Sequence, residues 1–330
     1  MAYLRYLRRI LGVYLLAPGK SNISFWHTPL AVNPLTQADV VGLRLYPMDF
    51  SAKLSYTGPF DIDGIPVLDY RGSLGIQYNP NAIAQFALAR HDQYVAQGTP
   101  ESKDAFLRQA SWFLRSGKRV QDDILLWEYD FDFEWRTTLR KPWRSALAQG
   151  QALSVLLRAH QASSREEFLS AAHRGFNAFR RDIRHEGGVI FRDGDSVWLE
   201  ELIMQPPTHV LNGFIWALWG VRDYAVYTKD PYARKLHDDC VRTLLRHLPD
   251  YDVGFWTLYD SLPAYSLAAP RMPVSRYYQR LHSVQMEAMH RLTGEAAFAR
   301  YARQWESYLR NPFASALGQL WKIFFKLTRW

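Results

Sequence analysis

Cys240 is the only cysteine among 330 residues, so no internal disulfide and no cluster of thiolate ligands can form within the chain. A reducing compartment is allowed by that usage. Long apolar runs are also missing: the longest are broken by Arg, Gln or Gly well short of the roughly 18 to 20 residues a spanning helix needs, which excludes an integral helical membrane protein. There is no GxxxxGK[ST], no GxGxxG between a strand and a helix, no HExxH and no GxSxG. Nucleotide hydrolysis, dinucleotide redox chemistry and zinc proteolysis are therefore poorly supported. Lysine is scarce, with nine against 31 arginines, and the formal net charge is +8. With 12 tryptophans and 19 tyrosines added, the surface suits an anionic, partly apolar ligand, because guanidinium forks match carboxylate, sulfate and phosphate while rings stack on sugar or base faces.

What the chain does contain is a weak repeat. Helix starts near Pro80, Arg144, Thr208 and Ser275 lie 64, 64 and 67 residues apart. Each opens a helix of about four to five turns, followed by a short break and a second helix. The breaks fall at Gly98 to Pro100, Ser163 to Ser164, Lys229 to Pro231 and Thr293 to Gly294. The first helices are poor in charge on every side and the second carry roughly twice as many charged residues, which predicts an inner ring buried all round and an outer ring with one face in water. The fold class expected is mainly α, an incomplete α/α toroid of four helical hairpins, with short β-hairpins on one rim and a small N-terminal β element. The corresponding boundaries are 1–39 for an amphipathic helix and linker, 40–78 for the β element, 79–311 for the toroid and 312–330 for a C-terminal amphipathic helix.

The linkers 117–143, 182–207 and 248–274 are each about 25 residues long, a length that usually carries function. Their text (YDFDFEW, GGVIFRDGDSVWLEE, YDVGFWTLYD) is aromatic and turn-rich, and predicts hairpins roofing a central cavity. In the last of these, Tyr251 and Asp252 recur as Tyr259 and Asp260, as two arms of a hairpin would present them toward one cavity. Arg271, Arg276 and Arg280 then bracket Tyr277 and Tyr278 at the start of an inner helix, where positive charge and a helix N-terminus attract an anion. His282, one turn on, shares the face of Tyr278. Polar residues just inside the inner helices, Gln85, Gln149, Asn212 and then Gln279 or His282, either line the cavity and meet sugar hydroxyls or bond neighbouring backbone. Tyr78 and Asp260 complete the candidate substrate contacts. Glu200 and Glu201 follow Trp198 on a strand, so one of the two faces the cavity. Asp193 and Asp195 read as a turn that supplies too few oxygens for calcium, and no metal is expected.

Both ends are basic and amphipathic: MAYLRYLRRILGVYLL and LGQLWKIFFKLTRW each set a Leu, Phe or Trp stripe beside Arg or Lys. Such segments lie in a membrane interface or dock on the toroid by the same stripe. A cleaved signal peptide is not expected, and the location expected is cytoplasmic or peripheral on the cytoplasmic face of a membrane.

In order along the chain, KPWRSALAQGQALSVLLRA, WLEELIMQPPTHVLNGF, YDVGFWTLYD and RYYQRLHSVQ resemble the C-terminal helical domain of the D-glucuronyl C5-epimerases of heparan sulfate biosynthesis, over roughly residues 140 to 310, with Gly75 to Tyr94 a weaker match. That resemblance implies an isomerase that removes the C5 proton of a uronic acid in a polysaccharide such as heparosan and returns a proton on the opposite face, turning glucuronate into iduronate. It implies no cofactor and an anionic uronic-acid polysaccharide as partner. Catalytic roles carry over to Tyr259, Tyr278 and Glu201, and a substrate contact to Asn212. Two positions depart, with Leu202 and Leu262 standing where the family has a tyrosine and an arginine. Glu201 is expected to replace the phenol, and Arg271 or Arg276 the guanidinium. Such chemistry needs one proton-transfer group per ring face and positive charge on the carboxylate, and a tyrosine serves as base when a nearby arginine lowers its pKa. The rival readings are a polysaccharide lyase, which shares the first proton abstraction, and a glycan-binding relative without activity. A homodimer is allowed. Nucleic acid is not an expected partner, since the positive charge is dispersed over outer helices without a recognised motif.

Overall fold

The computed structural model describes residues 25–261 and 270–328. After a short helix α1 (Gln37–Gly42), four inner helices of 18 residues each follow: α2 (Pro80–Gln97), α4 (Ala146–Ser163), α6 (Leu211–Thr228) and α8 (Arg276–Thr293). Each is paired with an outer helix: α3 (Pro100–Ser116), α5 (Glu166–Phe176), α7 (Pro231–His247) and α9 (Ala296–Arg310). Local chemistry sets the boundaries. Asn79 accepts from the Ala82 amide at 2.9 Å with Pro80 in the first turn, and Thr99, Asp230 and Ser275 cap α3, α7 and α8 in the same way. Every inner helix ends in a left-handed residue, Gly98, Ser164, Lys229 or Gly294, so the chain reverses within two or three residues at the breaks the sequence marks. The mainly α, incomplete α/α toroid of paired hairpins is the observed fold.

Nearly all of α4 and α6 is buried, and the two cross with backbone against backbone. A Cβ on Gly220 would lie 2.0 Å from the Gly150 carbonyl oxygen, so side chains at that crossing are excluded. Inner helices pack in sequence order, α2 on α4, α4 on α6 and α6 on α8. The gap between α8 and α2 is bridged by the N-terminal segment. Asn33 gives its side-chain amide to Asp92 of α2 at 2.8 Å and takes the Arg291 guanidinium of α8 on its carbonyl at 3.2 Å. His27 packs edge-on against Tyr277. Residues 43–50 then enter the centre: Leu43, Tyr46, Met48 and Phe50 are buried, and Tyr46 meets Trp219 of α6 edge-on at 5.6 Å. A buried ion pair, Arg158 to Asp223 at 2.6 Å, joins α4 to α6, and the same guanidinium donates to the Leu45 carbonyl at 3.2 Å, fixing the segment from below.

Among the described residues, strand structure is confined to four two-stranded antiparallel hairpins. These are β1–β2 (Leu68–Asp69, Ile76–Gln77), β3–β4 (Lys118–Val120, Ile124–Leu126), β5–β6 (Phe133–Glu134, Thr138–Leu139) and β7–β8 (Ile190–Asp193, Ser196–Leu199). The alternating text GLRLYPMDF contributes only the bridge between Val32 and Met48, because Tyr46, Met48 and Phe50 are drawn into the core between helices rather than paired in a sheet. The linker after α7 forms isolated bridges, Asp252 to Thr257 and Leu258 to Pro273, and part of it, including Leu262, lies outside the described residues. So does the whole of the basic N-terminal stretch, residues 1–16.

A last helix, α10 (Pro312–Leu327), lies across the start of α8. Gly318 sits against the Trp256 ring, where a Cβ would come within 2.3 Å, Lys322 donates to the Pro273 carbonyl at 2.8 Å, and Ser315 accepts from Arg276 at 3.1 Å. No helix among the described residues is long and apolar enough to cross a membrane.

Candidate active site

The rim hairpins and the N-terminal segment enclose a cavity of about 210 Å³ over the N-terminal ends of the inner helices. Its wall holds Gln85 from α2, Leu147 from α4, Asn212 and Trp216 from α6, and Tyr277, Tyr278 and Leu281 from α8. Glu201, Leu202 and Tyr259 come from the linkers, and Trp26, Thr28 and Lys53 from the N-terminal segment. Aromatic rings make one side: Tyr129 and Trp143 stack at 3.8 Å with their planes 6° apart, next to Phe131 and Phe133.

The two glutamates follow directly after β8 and point apart. Glu200 points into the protein, where Oε1 lies 2.5 Å from His209 Nδ1 and Oε2 accepts from the Thr208 and His209 amides, both at 3.2 Å. This clamp holds His209 at a positive φ of 50° and fixes the entry into α6. Glu201 faces the other way, into the cavity, and its Oε2 has no hydrogen-bond partner among the described residues. Burial, and then the neighbouring Glu200 charge, push the Glu201 carboxyl up to about 8. Two further buried polar atoms on the cavity wall are likewise unpartnered: Asn212 Oδ1 and Trp216 Nε1. Unpartnered buried atoms also occur in the core, as at Gln151 and Ser154, but these three open onto one cavity, where a polar ligand can satisfy them.

Tyr259 and Tyr278 meet edge-on at 5.3 Å, and Trp135 leans on Tyr259 at 5.0 Å. Burial first, then Glu201 and Tyr278, hold the Tyr259 phenol well above its ordinary value. The sequence argument expects an arginine to lower it instead. The three arginines concerned stand elsewhere. Arg271 and Arg276 are exposed at the α8 entry, with Arg276 on Ser315, and Arg280 pairs with Glu306 of α9. None of them lines the cavity.

The cation that does line it is Lys53, which sequence reasoning missed. It lies on a 3-10 turn (Ser51–Ser55), almost completely buried, donating to the Phe25 carbonyl at 2.8 Å with the Phe25 ring 4.3 Å away. Burial lowers its ammonium to about 7. A single lysine in irregular chain gives no periodic or motif signal, and only the folding of residues 25–55 into the α8–α2 gap brings it to the wall.

Of the other expected contacts, Gln85 lines the cavity, beside Asn81. Gln149 does not: its amide donates to the Leu125 and Gly175 carbonyls at 2.6 and 2.9 Å, tying β4 and α5 to α4. His282 is buried in the core with Nδ1 3.0 Å from Thr257 Oγ1, and burial lowers its imidazole to about 3. Asp260 is buried in a bidentate pair with Arg136, both contacts 2.9 Å, and supports the rim rather than the wall. Tyr78 is exposed and donates to Asp61 at 2.8 Å. Tyr251, the expected twin of Tyr259, is in the core with its hydroxyl on the His209 carbonyl at 2.6 Å. Among the described residues no cluster of His, Cys, Asp and Glu is arranged to hold a metal.

One bowl of an incomplete α/α toroid thus gathers an acid, two phenols and unpartnered polar atoms. Comparison with known sequences supplies the family. The sequence profile of the D-glucuronyl C5-epimerase C-terminus matches residues 121–307, and the chain belongs to that family. An uncharacterised protein of Methanocaldococcus jannaschii is 30% identical over 186 residues, which is 55% of this chain and 57% of that protein. The D-glucuronyl C5-epimerase of Caenorhabditis elegans is 27% identical over 232 residues, 66% of this chain and 36% of its own length. The chain thus spans less than two thirds of either relative. Lys53 and the rest of the N-terminal wall precede the profile match, whereas Glu201, Asn212, Tyr259 and Tyr278 fall within it.

Proposed function

We propose that this protein is a uronosyl C5-epimerase that converts D-glucuronate to L-iduronate within a heparosan-like polysaccharide. The observation that carries the reading is the convergence of unpartnered Glu201 Oε2, Asn212 Oδ1 and Trp216 Nε1 with Lys53 and two phenols on one wall, in a member of the epimerase family. In this reading the ionised Glu201 takes the C5 proton, which a carboxyl titrating near 8 does efficiently around neutral pH. The electron pair spreads onto the uronate carboxylate, opposite the Lys53 ammonium. Tyr259, which burial keeps neutral, or Tyr278 delivers a proton from the other face, and exchange with solvent resets both groups. Asn212 and Trp216 meet ring hydroxyls, and the Tyr129–Trp143 stack lies against a sugar face.

Leu202 lines the same wall, so the phenol the family resemblance implies there is replaced by an apolar surface, and the acid work passes to Glu201 and the two remaining tyrosines. Incubation of heparosan in heavy water, with NMR of the recovered polymer, tests the reading. Deuterium at C5 together with iduronate is the expected result. An unsaturated product would reassign the protein to the lyases, and an unlabelled polymer across the uronate polysaccharides would end the enzymatic reading.

A further inference from the structure

Helix α10 uses one face to dock: Ser315, Gly318, Lys322, Ile323 and Phe325 are buried against α8 and the linker before it. The opposite face carries Phe313, Leu317, Leu320 and Phe324, with 85, 52, 59 and 65% of their surface exposed. The spacing i, i+4, i+7, i+11 makes a continuous apolar stripe down the helix. Among the described residues, the five other large apolar side chains that are comparably open, Val41, Phe60, Ile62, Ile76 and Tyr78, come before the first inner helix. From Pro312 to the last residue the sequence has Lys322, Lys326 and Arg329 but no acid; Lys322 belongs to the docked face, and the exposed Arg276 and Arg310 flank the helix, Arg310 paired with Glu306 at 3.4 Å. An exposed apolar stripe on a helix that carries no acid is complementary to an anionic lipid surface, into which such a helix lies parallel to the plane.

A second copy of the chain fits less well. Two α10 helices face to face would bring like charges together, and four side chains offer on the order of 400–500 Å², against about 800 Å² per partner in a stable dimer. We propose that α10 is a peripheral membrane anchor, its Phe313–Leu317–Leu320–Phe324 stripe inserting among the headgroups of an anionic bilayer. Because α10 crosses the chain at Pro273 and Arg276, directly before the cavity residues Tyr277 and Tyr278, anchoring brings the rim of the cavity near the lipid surface. The inference is independent of the epimerase reading, since it uses none of the cavity side chains.

The test is sedimentation of the full chain with vesicles of phosphatidylcholine alone or mixed with phosphatidylglycerol, beside the double variant Leu317→Glu, Phe324→Glu. Both positions are solvent-exposed, so the variant keeps its fold, checked by circular dichroism. The chain is expected to bind the anionic vesicles, to release at high salt, and to lose at least tenfold in partitioning in the variant. No binding to anionic vesicles overturns the proposal, as does equal binding of the variant, which would move the contact elsewhere in the chain. A dimer in light scattering that the same substitutions dissolve would assign the stripe to a second copy instead.

Discussion

Glu201 occupies the space that a side chain on Gly213 would need: a Cβ there would lie 2.0 Å from Glu201 Oε2 and 2.5 Å from its Cβ. The first turn of α6 is therefore the floor on which the candidate base rests. Gly213→Ala is expected to leave the helix intact and displace the carboxyl, lowering kcat by about 10²-fold with a smaller change in KM, as misplacement by about an ångström does. Steady-state proton exchange at C5 reads it, and an unchanged rate would detach Glu201 from the chemistry.

Replacing the carboxyl itself has two separable effects. Glu201→Gln should remove about 10² to 10⁴ of the rate. It should also stabilise the protein at neutral and alkaline pH. A carboxyl that ionises near 8 in the folded state and near 4.5 unfolded keeps its proton on folding across that window, so stability falls as pH rises from 4.5 to 8. The cost at pH 8 is of order a few kcal/mol. Denaturant midpoints of both proteins across this range should converge at acid pH and separate as pH rises.

Lys53 works in the opposite sense. Its ammonium titrates near 7 in the empty cavity, and a bound carboxylate raises that value. The rate at low substrate should therefore be greatest between about pH 7 and 8, bounded by Glu201 on the acid side and Lys53 on the alkaline side. Lys53→Met is expected to raise KM at least tenfold and abolish the alkaline limb. A profile whose alkaline limb survives in that variant would exclude Lys53 as the carboxylate partner.

The Arg136–Asp260 pair holds the rim linkers together through two 2.9 Å contacts. Asp260→Ala leaves a nearly buried guanidinium without its counter-charge and should cost about 3 to 5 kcal/mol. Calorimetry measures this, and Arg136→Met in the same background should recover part of it.

The helical plan was open to reading because it rests on local chemistry. Caps at Asn79 and Ser275 start two inner helices, those at Thr99 and Asp230 start two outer ones, and breakers such as Gly98 and Gly294 act on their own neighbours; each inner helix begins within three residues of where the sequence puts it, although α4 and α6 have no side-chain cap. The site was legible only in part. A polar residue on a buried helix announces that it needs a partner without saying which: Asn212 and Gln85 face the cavity, whereas Gln149 and His282 satisfy linkers and core. Arginines gathered around Tyr277 suggest an anion site, yet a helix entry also lies at the surface, and there Arg280 is taken up by Glu306. Lys53 depends on contacts between residues far apart in sequence, which no local pattern encodes.

That dependence bears on how the molecule comes together. Asn33 meets Arg291, 258 positions later, and the wedge of residues between the first and last inner helices carries the lysine of the bowl. Emerging from the ribosome, the early segment can meet α2, α4 and α6 as they form, but its contacts with α8 wait for the fourth hairpin. Closure of the bowl is thus the final event of assembly, and a chain halted before its last hairpin would possess Glu201 yet lack the wall made by Tyr277, Tyr278 and Leu281.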